Sequence, residues 1–507
     1  YEFEIENVAL SRTQLNYVQT KPFPASDSTE EETISPKVKL DEFTLTDVTA
    51  NYSNVSASQT AQVQIGKLLV ELPLADLSTQ TINLSTIELN NSNILYHDFS
   101  TVEASQPTAS DTSSAAFVWP DWKVNVDQIS LENNVIEFKT ADTDFKEGYF
   151  NPSALRFTAL NAELGNIIFE NEKAEAEIEV FRFEEASGFS LKEFSVDLLV
   201  NNSQTIVENL QLAINRSQLT GDLEVTYESI EKAITQPELA DVDLQLNSRK
   251  LQVTDAYFFL PELAQDTLIQ KLQEYPFSLN ADASGSSDLL KISSLDISWG
   301  ATSMFASGQL SEILDMDRLR FDIPQIRLES DRETITTFVS EADLGLQVPD
   351  EVLLTGQASG SLSDLGTEMK LESTFGDLDL IASYQDQNQL SFSTNIQAKA
   401  IQLNQLLQNE DLDTVYFSLD ASGSGATWYE INATLQAKFD SLGLYQNDFS
   451  GLALSAKLEN GSGTVSSNLD SKNLRYDLSA TIDLDSINSQ ADLKFNLKGA
   501  DFNALGL

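Results

Sequence analysis

The stretch INLSTIELNNSNILYHD, residues 82–98, decides the fold. Ile82 and Leu84 alternate with polar neighbours, Ile87 and Leu89 alternate again after one skipped step, and Tyr96 follows seven residues later. This spacing predicts two short, half-buried strands joined by a turn. Each strand has one apolar side, so the functional question is what covers that side.

The same spacing, which is apolar, +2, +3, +2, +7, recurs along the chain. The four close copies are Phe3, Ile5, Val8, Leu10, Tyr17; Val38, Leu40, Phe43, Leu45, Tyr52; Ile82, Leu84, Ile87, Leu89, Tyr96; and Val124, Val126, Ile129, Leu131, Phe138. Weaker copies are Leu290, Ile292, Leu295, Ile297, Met304 and Phe321, Ile323, Ile326, Leu328, Ile335, and a shorter unit is Leu244, Leu246, Leu251; Ile396, Ala398, Leu403; and Phe495, Leu497, Phe502. Such repetition indicates an array of similar units.

The +3 step has a structural meaning. Side chains two residues apart on a strand share a face, so a +3 step moves the apolar set to the other face unless a bulge or short turn absorbs one residue. We therefore expect each unit to bend the sheet at the same place. Polar segments such as ENNV (132–135), NNSQ (201–204), NRSQ (215–218) and ENGSG (459–463) predict tight antiparallel turns between strands.

The coarse organisation follows from composition. Residues 20–36 and 101–116 are rich in Ser, Thr, Pro and acids and are predicted to be mobile loops. Short amphipathic helices are predicted at 261–275, at 331–339, where Ser330 and Glu333 form a possible capping box, and after Ile401. We divide the chain into repeated β units at 1–228, a β segment with helices at 229–345, and a second β series at 346–507.

Charge and composition exclude several classes of protein. The chain has 507 residues, 41% of them hydrophobic, which is enough to fold. Its 79 acidic residues against 30 basic ones give a net charge of −49, which repels phosphate backbones. We therefore expect no nucleic-acid partner.

Cysteine is absent and His97 is the only histidine, so thiol, zinc and Ser-His-Asp chemistry lack their residues. Paired-carboxylate chemistry of a carbohydrate-active β-helix enzyme has many acids to draw on, yet no pair stands out. We expect no enzyme activity, no catalytic residues, no metal site and no cofactor. No apolar run of 18 residues occurs, the chain begins with Tyr1, and its pattern stops in FNALGL, so we expect both ends to be cut from a longer protein.

These patterns predict an all-β protein with a few short helices and a long, curved, mostly antiparallel sheet. A one-sided sheet can hide its apolar face in a sandwich, in a closed barrel or β-helix, or against lipid. Curling would produce a trough lined by Val, Ile, Leu and Phe, with the acids outside. Periodicity alone does not distinguish such a trough from a solenoid with a filled core.

Several segments resemble the AsmA-like/TamB family of Bacteroidota-type envelopes. They are WPDWKVNVDQISLENNVIEF (119–138), EGYFNPSALRFTALNAEL (147–164), FEEASGFSLKEFSVDL (183–198), LQLAINRSQLTGDLEVTY (210–227) and LGLYQNDFSGLALSAKLENGSGTVSSNLDSKNLRYDLSATIDL (442–484). The resemblance implies an elongated, taco-like hydrophobic groove in a periplasmic protein. It also implies a tether to the inner membrane, through an anchor that these residues lack, and an outer-membrane assembly barrel of the TamA-like type as partner.

Our leading hypothesis is a non-enzymatic conduit that moves phospholipid between the inner and outer membranes and supports outer-membrane biogenesis, with outer-membrane protein assembly as a further expected role. The acyl chains are its expected ligand. The alternative is a structural or adhesive β-solenoid or β-sandwich rod of the cell envelope, with a dry and filled interior. The candidate groove-lining residues are Phe3, Ile5, Val38, Leu40, Ile82, Leu84, Val124, Val126, Ile292 and Ile323, with a register that the +3 step leaves open.

Overall fold

The computed structural model describes residues 2–21, 36–99, 117–386 and 389–505. Strands account for 66% of the protein and helices for 9%, and the 28 strands form a mixed, mostly antiparallel sheet. The predicted all-β class with a few short helices is therefore confirmed. The chain divides into two compact units, Tyr1–Leu279 (unit 1) and Asn280–Leu507 (unit 2). Of the two predicted mobile loops, residues 22–35 of the first and all of the second, 101–116, lie outside the described residues.

The elements have the following bounds. Unit 1 contains β1 (Glu2–Ser11), β2 (Gln14–Gln19), β3 (Lys37–Asn54), β4 (Gln59–Asp76), β5 (Thr81–Asn90), β6 (Asn93–Asp98), β7 (Lys123–Thr140), β8 (Ala154–Glu170), β9 (Lys173–Glu185), β10 (Ser190–Asn201), β11 (Gln204–Ile214), β12 (Ser217–Thr226), α1 (Ile230–Thr235), β13 (Asp241–Leu251) and α2 (Thr267–Leu272). Strand β14 (Phe277–Gly285) lies at the border of the two units. Unit 2 contains β15 (Leu289–Trp299), β16 (Thr302–Ser311), β17 (Arg320–Asp331), α3 (Arg332–Phe338), α4 (Glu341–Leu344), β18 (Glu351–Ser361), β19 (Asp364–Ser373), β20 (Gly376–Asp386), β21 (Leu390–Gln402), α5 (Leu403–Leu406), β22 (Leu412–Gly425), β23 (Asn432–Leu444), β24 (Asn447–Asp448), β25 (Ala453–Glu459), β26 (Ser462–Asp470), β27 (Leu474–Asp483) and β28 (Gln490–Ala500).

The three predicted helices differ in how well they match. Helix α3 lies within the predicted 331–339, and Asp331 rather than Ser330 caps it, because its carboxylate accepts from the Thr334 N–H at 2.8 Å. Helix α5 follows Ile401 as predicted. A continuous helix over 261–275 is wrong: a 3-10 turn ends at Gln265, and Asp266 then caps the separate helix α2.

The four close repeat copies form two parallel pairs. Strands β1 and β2 carry the first copy and pair with β3, which carries the second, so that Phe3 lies opposite Val38 and Tyr17 opposite Tyr52. Strands β5 and β6 carry the third copy and pair in the same way with β7. All five positions of each copy therefore lie beside their equivalents in the partner copy.

Identical positions stack because the pairing is parallel and in register. The rings of Tyr17 and Tyr52 stack with centroids 5.8 Å apart, and Tyr96 and Phe138 stack at 5.9 Å. Asparagine amides bond across the same pairs, as in Asn51 to Asn16 at 2.8 Å. Strand β4 runs antiparallel between the two pairs, and the strands from β7 to β13 continue the sheet in antiparallel order.

A bulge absorbs the +3 step, as the sequence predicts. Leu40 and Phe43 are three residues apart, yet they face Leu72 and Val70, which are two residues apart on β4 and share a face. Both therefore point to one side of the sheet, and the extra residue is taken up by the bulge. In unit 2 the same happens between Ile292 and Leu295, which face Gly308 and Ala306, and between Ile323 and Ile326.

A second irregularity explains the +7 step. In each copy one residue adopts a left-handed backbone two places after the fourth apolar position; these residues are Arg12, Asp47, Asn91 and Asn133, with φ of 48°, 52°, 51° and 52°. Leu131 and Asn134 consequently face Ala162 and Leu160, two residues apart on β8. The segment ENNV (132–135) lies inside β7, so its assignment as a turn is wrong: it is a bulge that bends the strand.

The residue after each left-handed position belongs to one row that crosses unit 1. We call it the bend row; it consists of Thr13, Val48, Ile65, Ser92, Asn134 and Leu160. Ser92 is 2% and Asn134 1% exposed, and Val48, Ile65 and Leu160 are also buried. The row follows the left-handed residues and is largely buried, so we infer that the strands of unit 1 bend at this row.

Candidate functional site

Apolar side chains line one face of unit 1 in continuous rows. The longest row runs through hydrogen-bonded neighbours on eleven successive strand positions: Phe3, Val38, Ala75, Ile82, Val124, Phe169, Ala174, Val200, Thr205, Val225 and Val242. With neighbouring strands about 4.8 Å apart, this row is about 48 Å long. A parallel row is Leu10, Leu45, Leu68, Leu89, Leu131, Ala162 and Phe181. We call this side of the sheet the apolar face.

Unit 2 has an equivalent apolar face. One row is Ile297, Met304, Leu328, Leu354, Leu371, Leu378, Ala398, Phe417 and Phe439. Another is Ile323, Ala358, Thr367, Ala382, Thr394, Ala421, Leu435, Ala456, Val465, Ala480 and Leu493. The opposite face of the same strands carries Arg327, Thr355, Lys370, Asp379, Gln397, Ser418, Lys438, Ser455, Ser466 and Ser479. Each strand therefore separates apolar from polar side chains.

The ten candidate residues occupy the apolar faces. Phe3, Val38, Ile82 and Val124 share the long row of unit 1. In the next row along the strands, Ile5 lies opposite Leu40 and Leu84 lies opposite Val126. Ile292 and Ile323 lie in unit 2, opposite Gly308 and Ala358. Phe3 is 51% exposed and Val126 is buried, whereas most of the others are half-buried.

Half-burial is the main property of these faces. In the row that begins at Ile297, only Ala398 is buried, and the other side chains keep part of their surface accessible. Most apolar side chains of these rows are therefore partly accessible to solvent.

The polar face is strongly charged and internally paired. Lys399 Nζ lies 2.6 Å from Asp379 Oδ2, and Lys370 Nζ lies 2.6 Å from Glu372 Oε1. At the first strand, the hydrogen bond from Lys39 lowers the pKa of Glu4. These pairs lie on the side away from the apolar rows.

A hollow of about 570 Å³ lies on this polar face between β17 and β21. Its charged lining groups are engaged with neighbours: Asp379 pairs with Lys399, and Glu368 accepts from Gln357 Nε2 at 3.0 Å. Among the described residues no group of three or more His, Asp or Glu could hold a metal ion.

The bend row is a structural feature that the sequence analysis missed. Asn134 is the most buried large side chain of the described protein, although asparagine is usually exposed. The sequence does contain a signal for this row. A +7 step would place Tyr96 and its equivalents on the opposite face from the preceding apolar residues, unless a second irregularity takes up one residue. Sequence analysis attributed the bending to the +3 step alone.

Within the described ranges, the helices are too short and too polar for any of them to cross a membrane. No known protein family, curated protein or solved structure matches this chain. The resemblance to the AsmA-like/TamB family, and the localisation and partners that it implies, therefore stay predictions.

Proposed function

We propose that this protein is a non-enzymatic lipid conduit, which binds phospholipid through its acyl chains on the apolar faces of the two units. The observation that carries the proposal is the set of long, half-exposed apolar rows, which only single threonines such as Thr205 and Thr394 interrupt. They offer accessible hydrocarbon contacts over about 48 Å in unit 1, at about 4.8 Å per strand. The polar face of the same strands is charged and solvated, so a lipid would find its apolar contacts on one side only.

The rows also suit movement along the sheet. Each acyl CH₂ that leaves water contributes about 0.8 kcal/mol, so a bound chain is held well overall. Successive strands present similar Val, Ile, Leu and Ala side chains in each row, so a chain that advances by one strand exchanges equivalent contacts. The net free-energy change of such a step is small, and this favours sliding over trapping.

The setting of this activity is proposed from the resemblance. We propose that the protein works in the periplasm of a Gram-negative-type bacterium, tethered to the inner membrane by a segment outside these residues. It would pass phospholipid between the inner and outer membranes together with an outer-membrane assembly barrel of the TamA-like type. Its contribution to outer-membrane biogenesis would then be lipid supply, and protein assembly would depend on that supply.

Photo-crosslinking tests the proposal. A photoreactive amino acid at Ile82 and at Ile292 should yield phospholipid adducts in the producing cells, because both side chains lie half-buried on the apolar faces. Matched controls at Asn83 and Lys291 place the same group one residue away on the polar face. Mass spectrometry of the adducts is the readout. Protein-only adducts at Ile82 and Ile292, or equal lipid capture on both faces, would overturn the proposal.

One observation favours the second candidate, a structural rod. The parallel, in-register pairing of repeat copies, with asparagine amides bonded between equivalent positions such as Asn91 and Asn133, is typical of stacked solenoid coils. A rod of this kind needs no lipid. Mass spectrometry of an organic extract of the natively purified protein separates the two candidates, because only the conduit should carry stoichiometric phospholipid.

A further inference from the structure

The break between β5 and β6 is the point from which this inference starts. The third repeat copy is interrupted at Asn91, and its backbone there leaves the regular hydrogen-bond pattern towards β4. Buried backbone groups need partners, because an unpaired one costs as much as a lost hydrogen bond. The two largest fully buried side chains among the described residues, Asn134 and Ser92, supply those partners.

Four backbone groups around the break are bonded by these two side chains. Ser92 Oγ accepts from the Gly66 N–H at 3.2 Å and donates to the Asn90 carbonyl at 3.0 Å. Asn134 Oδ1 accepts from the Ser92 N–H at 2.9 Å, and its Nδ2 donates to the Leu89 carbonyl at 2.6 Å. The contacts join β4, the two halves of the third copy, and β7. We call this arrangement the Ser92–Asn134 latch.

The latch is a specific feature of one pair of copies. The equivalent positions in the first pair are Thr13 and Val48, where the Thr13 hydroxyl donates only to the nearby Ser11 carbonyl. Both pairs contain the left-handed residues, so the bend itself does not require the latch. The latch adds a set of cross-strand hydrogen bonds within the bend row.

We propose that Ser92 and Asn134 are positioning residues that fix the angle between the two arms of the apolar face, and thereby the width of the trough that receives acyl chains. One arm carries the rows from Phe3 to Leu10, and the other carries the row of Tyr17, Tyr52, Tyr96 and Phe138. The latch lies between the arms, in the row where the sheet turns. The effect on lipid binding rests on the proposed function, whereas the effect on the angle between the arms does not.

Distance measurement tests the geometry directly. The chain has no cysteine, so Gln128→Cys on β7 in one arm and Gln62→Cys on β4 in the other introduce two unique spin-label sites on the polar face, on the strands that the latch joins. In the Asn134→Ala variant we expect a shifted and broader distance distribution between the labels, because the Ser92 N–H and the Leu89 carbonyl lose their partner. The matched control is Asn209→Ala, which removes an asparagine outside the bend row whose amide donates to Asp197 in an exposed hydrogen bond.

Phospholipid per folded chain is measured on the same samples. We expect it to fall in Asn134→Ala and to stay at the wild-type level in Asn209→Ala. An unchanged distance distribution in folded Asn134→Ala overturns the latch, whatever the lipid content. Absence of lipid from the wild type overturns the proposed function and leaves the distance result standing. If Asn134→Ala does not fold, Ser92→Ala removes only the bonds to Gly66 and Asn90 and is expected to shift the distances in the same direction.

Discussion

Single residues decide which side of the sheet is apolar. A regular strand alternates, so an odd step between apolar residues would place them on opposite faces. Here one bulge absorbs the +3 step and one left-handed residue absorbs the +7 step, and the apolar set stays on one side over 15 residues of each copy. Asparagine and aspartate tolerate the left-handed region, which suits Asp47, Asn91 and Asn133. Arg12 adopts it at a steric cost.

Gly356, beside the bulge of β17, leads to a specific prediction about stability. Gly356 faces Ile326, next to the bulge of β17, and a Cβ built on it would lie 2.1 Å from the Glu368 carbonyl and 2.7 Å from Met369 Sδ. Backbone cannot yield to such a contact without distorting the strand pair. Gly356→Val should therefore destabilise unit 2 by about 1–3 kcal/mol, the usual cost of overpacking.

The matched control for this prediction is Gly366→Ala on the next strand, because a Cβ there would meet no atom closer than 3.9 Å. Amide hydrogen exchange of β18 and β19 is the measurement, since it reports the local opening free energy even if the two units unfold separately. Equal protection in Gly356→Val and in the wild type would contradict the close approach that the structure shows.

At the scale of elements, the short helix α3 depends on charge. Asp331 caps it, and the hydrogen bonds from Thr334, first through its side chain and then through its backbone N–H, lower the pKa of Asp331. In the next helix, the hydrogen bond from Arg332 lowers the pKa of Glu341, which also accepts from the Val348 N–H. A carboxylate with a depressed pKa stabilises the fold above its unfolded pKa, and this stabilisation disappears as the pH falls through the folded value.

Acid should therefore loosen the α3–α4 segment. We expect the contribution of Asp331 to be complete above about pH 5 and to be lost as the pH falls below about 3.9, the ordinary aspartate pKa. Trp299 packs on Phe338 of α3 with ring centroids 5.2 Å apart and reports the change. In a variant with the other three tryptophans replaced by phenylalanine, its emission should move to longer wavelength on acidification.

The control for this acid transition is Asp331→Asn, whose amide oxygen can still cap the helix but does not titrate near pH 4. The transition of Trp299 should become smaller in this variant, and smaller again when Glu341→Gln is added. A transition of the same size and midpoint in all three proteins would show that the two carboxylates do not control the segment.

The elements also show what sequence can and cannot predict. Alternation and the repeats predicted the all-β class, the one-sided strands and the bulge at the +3 step, because these follow from neighbours along the chain. The parallel pairing of β1 with β3 and of β5 with β7 was not predicted. It depends on which strands become neighbours in the sheet, and the local sequence pattern does not specify this. ENNV has the composition of a turn, and only the contact of its buried Asn134 with Ser92 shows that it is a bend within a strand.

At the scale of the whole molecule, charge opposes folding. A net charge of −49 makes like-charge repulsion a destabilising term, and salt screens it, with a Debye length of about 8 Å at 0.15 M. We expect the urea midpoint at pH 7 to rise as NaCl increases from about 10 to 150 mM, where screening rather than salt-specific hydration dominates. Near the sequence pI of about 4.1 the same salt step should have little effect. A midpoint at pH 7 that is constant or falls with salt would contradict this expectation.

The same charge leads to a prediction about the ligand. Acyl chains on the apolar face leave the lipid headgroups in solvent, where they experience the field of 79 carboxylates against 30 basic groups. Anionic headgroups are repelled and zwitterionic ones are not, so the phospholipid that copurifies should be enriched in zwitterionic species relative to the membranes of the same cells. Mass spectrometry of both extracts measures the ratio. Because the repulsion is screened by salt, exchange of lipid at about 0.5 M NaCl should reduce the enrichment. A bound pool that matches the membrane composition at both salt concentrations would show that the acidic surface does not select the headgroup.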